Sequence, residues 1–463
     1  NKIAPLHYTD QFNKVTDLIG SLNAQLDIWG GLKYKLSLSG NYSNKHNYTH
    51  TPEYYTKWNS DGTPDKDYGN IRNSVSETRG EEFTYTIDNL LTYNKTFNRH
   101  SIDALLGTSW MREYYRYMTN STINDLGGTD ITGFQNEDGK ISAGDSNAAL
   151  LSFFARVNYD YDNKYLLSLS IRRDESSKFH KDNRVGYFPS VSAGWNVHQE
   201  KWFQNPVMSK LKIRASYGEL GANFLNPYNF DAIAYGPIPY TVGGERYVTG
   251  RAAYLKSKDL KWETAKTTDI GIELGFFNND LTLSLDYFVK KNVDLLAQID
   301  LNLSSGQIFE INSSREKPYV NTASVKNTGW EFMMNYRKQL TKDFHIDATF
   351  NIATLKNKVL SLGENVQPIT SGAMSSYFND APSITMPGEA IGSFYGYKID
   401  GFDAEGNFIF ADMDKNGVVN ANDKVILGSP IPDFTYGLNI NMEYKDFDLT
   451  VFFQGVQGNL SLI

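Results

Sequence analysis

Between Val157 and Arg172, taking every second residue separates the chain into two chemistries. Val157, Tyr159 and Tyr161, then Tyr165, Leu167, Leu169 and Ile171, form one set. Asn158 and Asp160, then Ser168, Ser170 and Arg172, form the other, and Asp162-Asn163-Lys164 separates the halves. A repeat of two puts successive side chains on opposite faces of a strand, so this stretch predicts a hairpin with one apolar and one polar face. The pattern recurs in Tyr34, Leu36, Leu38 and Tyr42, in Phe83, Tyr85 and Ile87, and in Val191, Ala193, Trp195 and Val197. It returns in Leu211 to Tyr217, Ile270 to Phe276, Leu281 to Tyr287, Trp330 to Tyr336, Phe344 to Ile352, and in a last pair spanning 435–444 and 447–453. The chain therefore predicts about fourteen strands, many longer than the usual five or six residues.

The connections sort by length. Short turns are read at Trp29-Gly30-Gly31, Thr96-Phe97-Asn98, Asp162-Asn163-Lys164, Phe277-Asn278-Asn279-Asp280, Leu340-Thr341-Lys342-Asp343 and Lys445-Asp446. Long polar loops are read at 47–80, through Asp138 and Asp145, and at 219–266, 292–319 and 356–432. Short and long alternate, as they do when antiparallel strands cross one layer with tight turns on one side and long loops on the other. A soluble Greek-key sandwich has no reason to sort its loops this way. Rings gather beside the short turns: Trp29 and Tyr34, Tyr93 and Phe97, Tyr161 and Tyr165, Phe276 and Phe277, Phe344, Tyr444 and Phe447. Such girdles mark membrane-water interfaces. The predicted fold is all-β, a transmembrane antiparallel up-and-down β-barrel section with long extracellular loops. Its apolar face meets outer-membrane lipid, and its polar face meets water.

Composition changes this picture little. The 463 residues are 40% hydrophobic and 14% aromatic, with 30 Tyr. A formal net charge of −8 argues against nucleic acid, which needs a basic face. The absence of Cys removes disulfides, thiolate metal sites and Cys nucleophiles. No run of about 18 apolar residues supplies a membrane helix, and a mean hydropathy of −0.46 is silent about membrane strands, only alternate residues of which are apolar. No signal peptide opens the chain.

Several segments go beyond pattern. YLLSLSIRRDESSKFHKDNRVGYFPSVSAGWNV, LKIRASYGELG, LKWETAKTTDIGIELGFF, VKNTGWEF, GEAIGSFYGY and LGSPIPDFTYG followed by FDLTVFFQGVQGN resemble the barrel of the SusC/RagA-type TonB-dependent transporters of Bacteroidota. The resemblance runs from about Thr84 to the end, with Glu175 standing where that family usually has Gly. It implies a barrel of about 22 strands with a plugged lumen, of which residues 1–463 would supply a section of about fourteen, without the plug domain or the closing C-terminal strands. It further implies active import across the bacterial outer membrane, no enzymatic activity, coupling to TonB through an N-terminal region, and a SusD-like surface lipoprotein as a lid. Oligosaccharide is the expected cargo, with oligopeptide as the alternative. A passive porin, a soluble secreted glycan-binding β protein and an outer-membrane hydrolase are the rival readings, the last lacking any nucleophile, base and orienter constellation.

The sharpest local motif is Asp412-Met413-Asp414-Lys415-Asn416-Gly417-Val418, closed by Asp423. Counted from Asp412, oxygen ligands fall at positions 1, 3, 5 and 12, Gly417 permits the turn, and Val418 offers its carbonyl. Asp412, Asp414, Asn416, Val418 and Asp423 are thus expected to hold Ca²⁺ as a structural clip on an extracellular loop. Asp at position 12 has a shorter reach than the usual Glu, and an Asx-rich turn held by its own hydrogen bonds is the plain alternative. Asn136, Asp138 and Asp145 near Gly139 and Gly144 echo the motif with the wrong spacing and read as a solvated turn. His46 and His50 do not share a helix face, and His180 reads as a polar loop residue. Ring-rich loops carry Phe224, Tyr228, Phe230, Tyr235 and Tyr240, and Tyr377, Phe378, Phe394 and Tyr395. Such rings either stack on sugars or pack against one another or a partner.

Overall fold

The computed structural model describes residues 9–70, 73–123, 140–227, 230, 234–243, 245–252, 257–298, 310–311, 314–315, 318–363, 366–372 and 381–461. Its main sheet has 15 strands. They are β1 (Asp10–Trp29), β2 (Leu32–Thr51), β3 (Ser74–Phe97), β4 (His100–Ile123), β5 (Lys140–Tyr161), β6 (Tyr165–Ser176), β7 (Val185–Asn196) and β8 (Met208–Ala222). Then follow β9 (Glu263–Phe276), β10 (Leu281–Gln298), β11 (Tyr319–Thr341), β12 (Phe344–Thr354), β13 (Lys356–Ser361), β14 (Phe434–Tyr444) and β15 (Phe447–Gln457). Hydrogen-bonded neighbours succeed one another in chain order, except that β13 pairs β11 and β12 passes directly to β14. Every pairing whose register is defined is antiparallel. This is the all-β, up-and-down arrangement the alternation predicts.

The tight turns explain the registers. Gly30 and Gly31 both take positive φ, as do Asp162 and Asn163, and Phe277, Asn278 and Asn279. Left-handed backbone at a hairpin tip matches the right-handed twist of the strands it joins, and Gly, Asn and Asp reach it at least cost. The turn after Phe276 sets Phe276 opposite Leu281, and counting outward places Gly271 opposite Asp286 and Lys266 opposite Lys291.

Two compact units divide the chain: Asn1–Thr92, Leu106–Phe153 and Asp174–Lys178 form one, and Tyr93–Leu105, Phe154–Arg173 and Phe179–Ile463 the other. In the first, β1 and β2 pair along their whole length, with Leu22 opposite Leu38. Leu18, Ile19, Leu22, Leu26 and Trp29 are exposed, Phe12 stacks on Tyr48, and Tyr85 meets Trp110 edge-on. The second unit holds two small apolar cores. Leu260 is buried, and Phe179, Phe188 and Trp262 are buried together, the Trp262 ring lying 5.2 Å from Phe179 and 5.5 Å from Phe188. Ala297, Ala323, Val325, Val359 and Leu362 form the other.

Strands run further than the alternation alone predicts. β2 continues to Thr51, β10 continues to Gln298 and β11 begins at Tyr319, so the intervening loops are shorter than 47–80 and 292–319. Gly144 and Asp145 lie inside β5 and not in a turn, whereas Asn136, Asp138 and Gly139 fall outside the described residues. The longest connection folds on itself: Ile369–Ser371, Ser383–Thr385, Ser393–Tyr397 and Lys424–Gly428 make a four-stranded sheet, and Ile399–Phe402 pairs Phe408–Phe410.

Candidate functional site

The two faces of the main sheet differ in chemistry. Tyr165, Leu167, Leu169 and Ile171 of β6 are 47%, 38%, 47% and 50% exposed, so no second sheet among the described residues covers them. Leu169 and Ile171, with Val157, Val191 and Tyr217, line an apolar depression of about 500 Å³. At the tight-turn end rings form a row: His100 to Tyr161 at 4.9 Å, Tyr161 to Tyr165 at 6.3 Å, and Tyr165 to Trp195 and Trp195 to Trp202 at 6.5 Å each. Glu200 in the β7–β8 link ties it together, accepting hydrogen bonds from the Tyr165 hydroxyl at 2.6 Å and the Trp195 indole at 3.2 Å. The Tyr165 hydroxyl, ahead of the Trp195 indole and Lys164, holds the Glu200 carboxyl below its ordinary pKa. Further along the same face Tyr287 meets Trp330 at 4.8 Å.

The opposite face is rich in hydrogen-bonded polar side chains. Ser168 donates to Asn158 at 2.6 Å, Asn158 donates to Asp103 at 3.1 Å, and Ser170 meets Ser190 at 2.7 Å. Thr349 donates to Asn335 and Thr450 to Asn441, both at 2.9 Å. An open cleft of about 560 Å³ lies on this face, with Asp103, Asn158, Ser168, Lys212, Arg214 and Asp269 in its wall.

Beside that cleft sits a charge cluster that the sequence reading missed. Arg214 of β8 reaches Asp286 of β10 at 2.6 Å, Glu273 at 3.3 Å and Asp269 at 3.4 Å. Lys210 and Lys212 also meet Glu273, at 2.7 and 3.6 Å. Gly271 lies between them, where a Cβ would strike the Asp286 carboxylate, so the missing side chain lets Arg214 cross β9 to its partner. The hairpin of β9 and β10 fixes the Gly271 to Asp286 register from sequence. The β8 to β9 register follows a long connection, so Arg214 could not be placed.

The acidic loop gathers as its spacing implies. Carboxylate oxygens of Asp412, Asp414 and Asp423 lie within 4.8 Å of one another. Asp423 is fully buried; its two oxygens accept from the amides of Met413 at 2.7 Å and Asp414 at 3.3 Å, and of Asn420 at 2.7 Å. Those amides, Asn420 first, hold its carboxyl below the ordinary range against the opposing effect of burial. Asp412 accepts from Gly417 at 2.7 Å and Asn416 at 3.2 Å, and the Asn416 side chain takes the Val418 amide. The Val418 carbonyl accepts from Asn420 at 3.1 Å. The donor set is hard oxygen, which suits a divalent cation such as Ca²⁺, and the loop joins the Phe408–Phe410 strand to Lys424–Gly428.

The remaining candidates separate. His46 faces Glu77 at 2.7 Å and His50 faces Asn73 at 2.8 Å, each on its own partner. His180 lies 3.1 Å from Asp182 and edge-on to Phe230. Phe230 is buried while Phe224 is 80% exposed, and Phe394 and Tyr395 lie on the Ser393–Tyr397 strand. The side chains of Tyr235 and Tyr240, and all of Tyr228, Tyr377 and Phe378, lie outside what is described.

Residues 3–460 match the family described as TonB dependent receptor-like, beta-barrel. The chain is 34% identical over 423 residues to the TonB-dependent receptor P3 of Formosa agariphila, covering 85% of this chain and 39% of that protein. It is 33% identical over 324 residues to the TonB-dependent receptor SusC of Bacteroides thetaiotaomicron, covering 65% of this chain and 30% of that one. Among solved structures, the RagAB peptide transporter matches with a TM-score of 0.79 at 20% identity, over 98% of this chain and 49% of that one. The RagAB peptide importer in its open-open state matches at 0.81 and 21%, over 98% and 48%. The chain thus spans less than half the length of these relatives.

Proposed function

The chain belongs to the TonB-dependent receptor-like β-barrel family, and on that premise we propose that it is the barrel section of an outer-membrane importer of oligosaccharide. In this reading TonB supplies the energy through a region outside the chain, and a SusD-like lipoprotein closes over the long loops. Transport and not catalysis is the activity. The observation that carries the reading is the division of alternate residues into an uncovered apolar face and a hydrogen-bonded polar one. Serine, threonine and asparagine on the polar face exchange hydrogen bonds with sugar hydroxyls at little cost. The same division speaks against a soluble glycan-binding protein, which would bury Leu167, Leu169 and Ile171. Oligopeptide is the second reading, favoured by the likeness to a solved peptide transporter. Growth and labelled-cargo uptake in a deletion strain, offered oligosaccharides and oligopeptides in parallel, decide between them. A strain unimpaired on both removes the proposal.

We further propose that Asp412, Asp414, Asn416, Val418 and Asp423 bind Ca²⁺. The ion would balance three carboxylates held within one loop and pin the two strands it joins. Calorimetric titration of the full-length protein with Ca²⁺, against a D412N/D414N variant, tests this; equal heats from both overturn it.

A further inference from the structure

The register of β9, β10, β11 and β13 draws one row across the sheet: Lys266 stands opposite Lys291, Lys291 opposite Lys326, and Lys326 opposite Lys358. All four fall on the parity of the apolar face. Lys266 shares it with Ile270 and Ile272, Lys291 with Leu285 and Tyr287, and Lys326 with Trp330 and Phe332. Lys356, opposite Thr328, adds a fifth cation one step lower.

Like charges directly opposite one another in an antiparallel ladder repel. Lys266 is relieved by Glu219 at 3.3 Å. Among the described residues Lys291, Lys326 and Lys358 have no ion-pair partner, and Lys291 and Lys358 are exposed. Adjacent strands lie about 4.8 Å apart, so these three span about 10 Å, the width of one bulky anionic headgroup.

The height of the row identifies the medium. From the tight turn to Lys291 is ten residues, about 33 Å along a strand, or about 25 Å of depth at the usual tilt. That is the thickness of the apolar band of an outer-membrane barrel. The lysines therefore lie level with the headgroups of the leaflet on the long-loop side.

We propose that Lys291, Lys326 and Lys358 form a binding site for the phosphate of a lipid headgroup in that leaflet. The bound phosphate offsets part of the charge of three lysines that have no ion-pair partner among the described residues, and fixes a lipid against β10, β11 and β13. The inference rests on the reading that this face meets lipid.

The test is binding of a monophosphorylated diglucosamine lipid to the full-length protein in mixed micelles, followed by native mass spectrometry. Each lysine beside an anionic lipid surface contributes about fivefold, so K291Q/K326Q/K358Q is expected to bind on the order of 100-fold more weakly. The corresponding triple arginine variant retains affinity, and K290Q, on the opposite face, is unchanged. Wild-type affinity in the glutamine variant overturns the proposal, as does equal binding of the dephosphorylated lipid. Displacement by inorganic phosphate at the lipid's own concentration overturns it in favour of a free-anion site. Lipid binding left intact while a co-purifying acidic lipoprotein is lost overturns it in favour of a protein-docking row. Wild-type protein that does not fractionate with the outer membrane overturns the lipid-facing reading itself.

Discussion

Replacing Leu169 with arginine and, separately, its neighbour Ser168 with arginine puts the same cation on opposite faces of one strand. Leu169 lies four residues beyond Tyr165, about 13 Å along the strand and about 10 Å in depth, close to the middle of an apolar band about 25 Å tall. An arginine at that depth on the lipid face costs about 2–4 kcal/mol, a roughly 30- to 1,000-fold loss in the folding equilibrium. Ser168 gives up its hydrogen bond to Asn158 at 2.6 Å, a loss of about 1 kcal/mol. Its arginine replacement enters a polar wall containing Asp103 and Asn158. Urea-driven unfolding of the full-length protein in lipid vesicles, followed by gel mobility and tryptophan emission, should separate the two variants by at least about 1 kcal/mol. Were this a soluble sheet, a Leu 47% exposed to water would tolerate arginine to within about 0.5 kcal/mol. A Leu169→Arg variant no less stable than Ser168→Arg therefore refutes the assignment of faces.

Three other outcomes are expected. Arg214→Met strands Asp286 and should cost about 1.5–3 kcal/mol, below the range for a fully buried pair because the Arg214 side chain is 36% exposed; R214M/D286L should recover most of it in the same urea assay. Gly221→Ala places a Cβ against the Phe188 ring and should destabilise by about 1–3 kcal/mol, with loss of the near-ultraviolet dichroism of Trp262; failure of a second change, Phe188→Ala, to restore tolerance would show that the ring is not the obstacle. Asp423, whose carboxyl is held below its ordinary value by the Asn420, Asp414 and Met413 amides, stabilises its loop above the ordinary carboxylate pKa of about 4 and loses that contribution as pH falls through the lowered one. Exchange of those three amides should stay slow from neutral pH down to about 4 and accelerate below it, and rapid exchange at neutral pH would contradict the hydrogen bonds described.

The legible part of the sequence was the part that lipid writes. Between Leu281 and Tyr287 every second residue is apolar, and β10 was read there correctly. From Lys290 through Asn292 the alternation dissolves and predicts the strand's end there, although its ladder with β11 continues to Gln298. Beyond the hydrocarbon an outward side chain has no reason to be apolar, so periodicity falls silent while the backbone pairing persists. The acidic loop was legible because its carboxylates are close in sequence. The Arg214 cluster was not, since the β8 to β9 register follows a long connection and only the structure supplies it.

β10 and β11 remain paired from Leu281 opposite Tyr336 to Gln298 opposite Tyr319, whereas about ten residues suffice to cross a bilayer. Roughly seven rungs, or about 23 Å, therefore stand clear of the hydrocarbon as stiff wall. Under the proposed import function, cargo arriving from outside would meet a hydrogen-bonded parapet before it reached the plane of the membrane. Size selection would then begin at a rim whose backbone is tied by ladder hydrogen bonds and not left to loops.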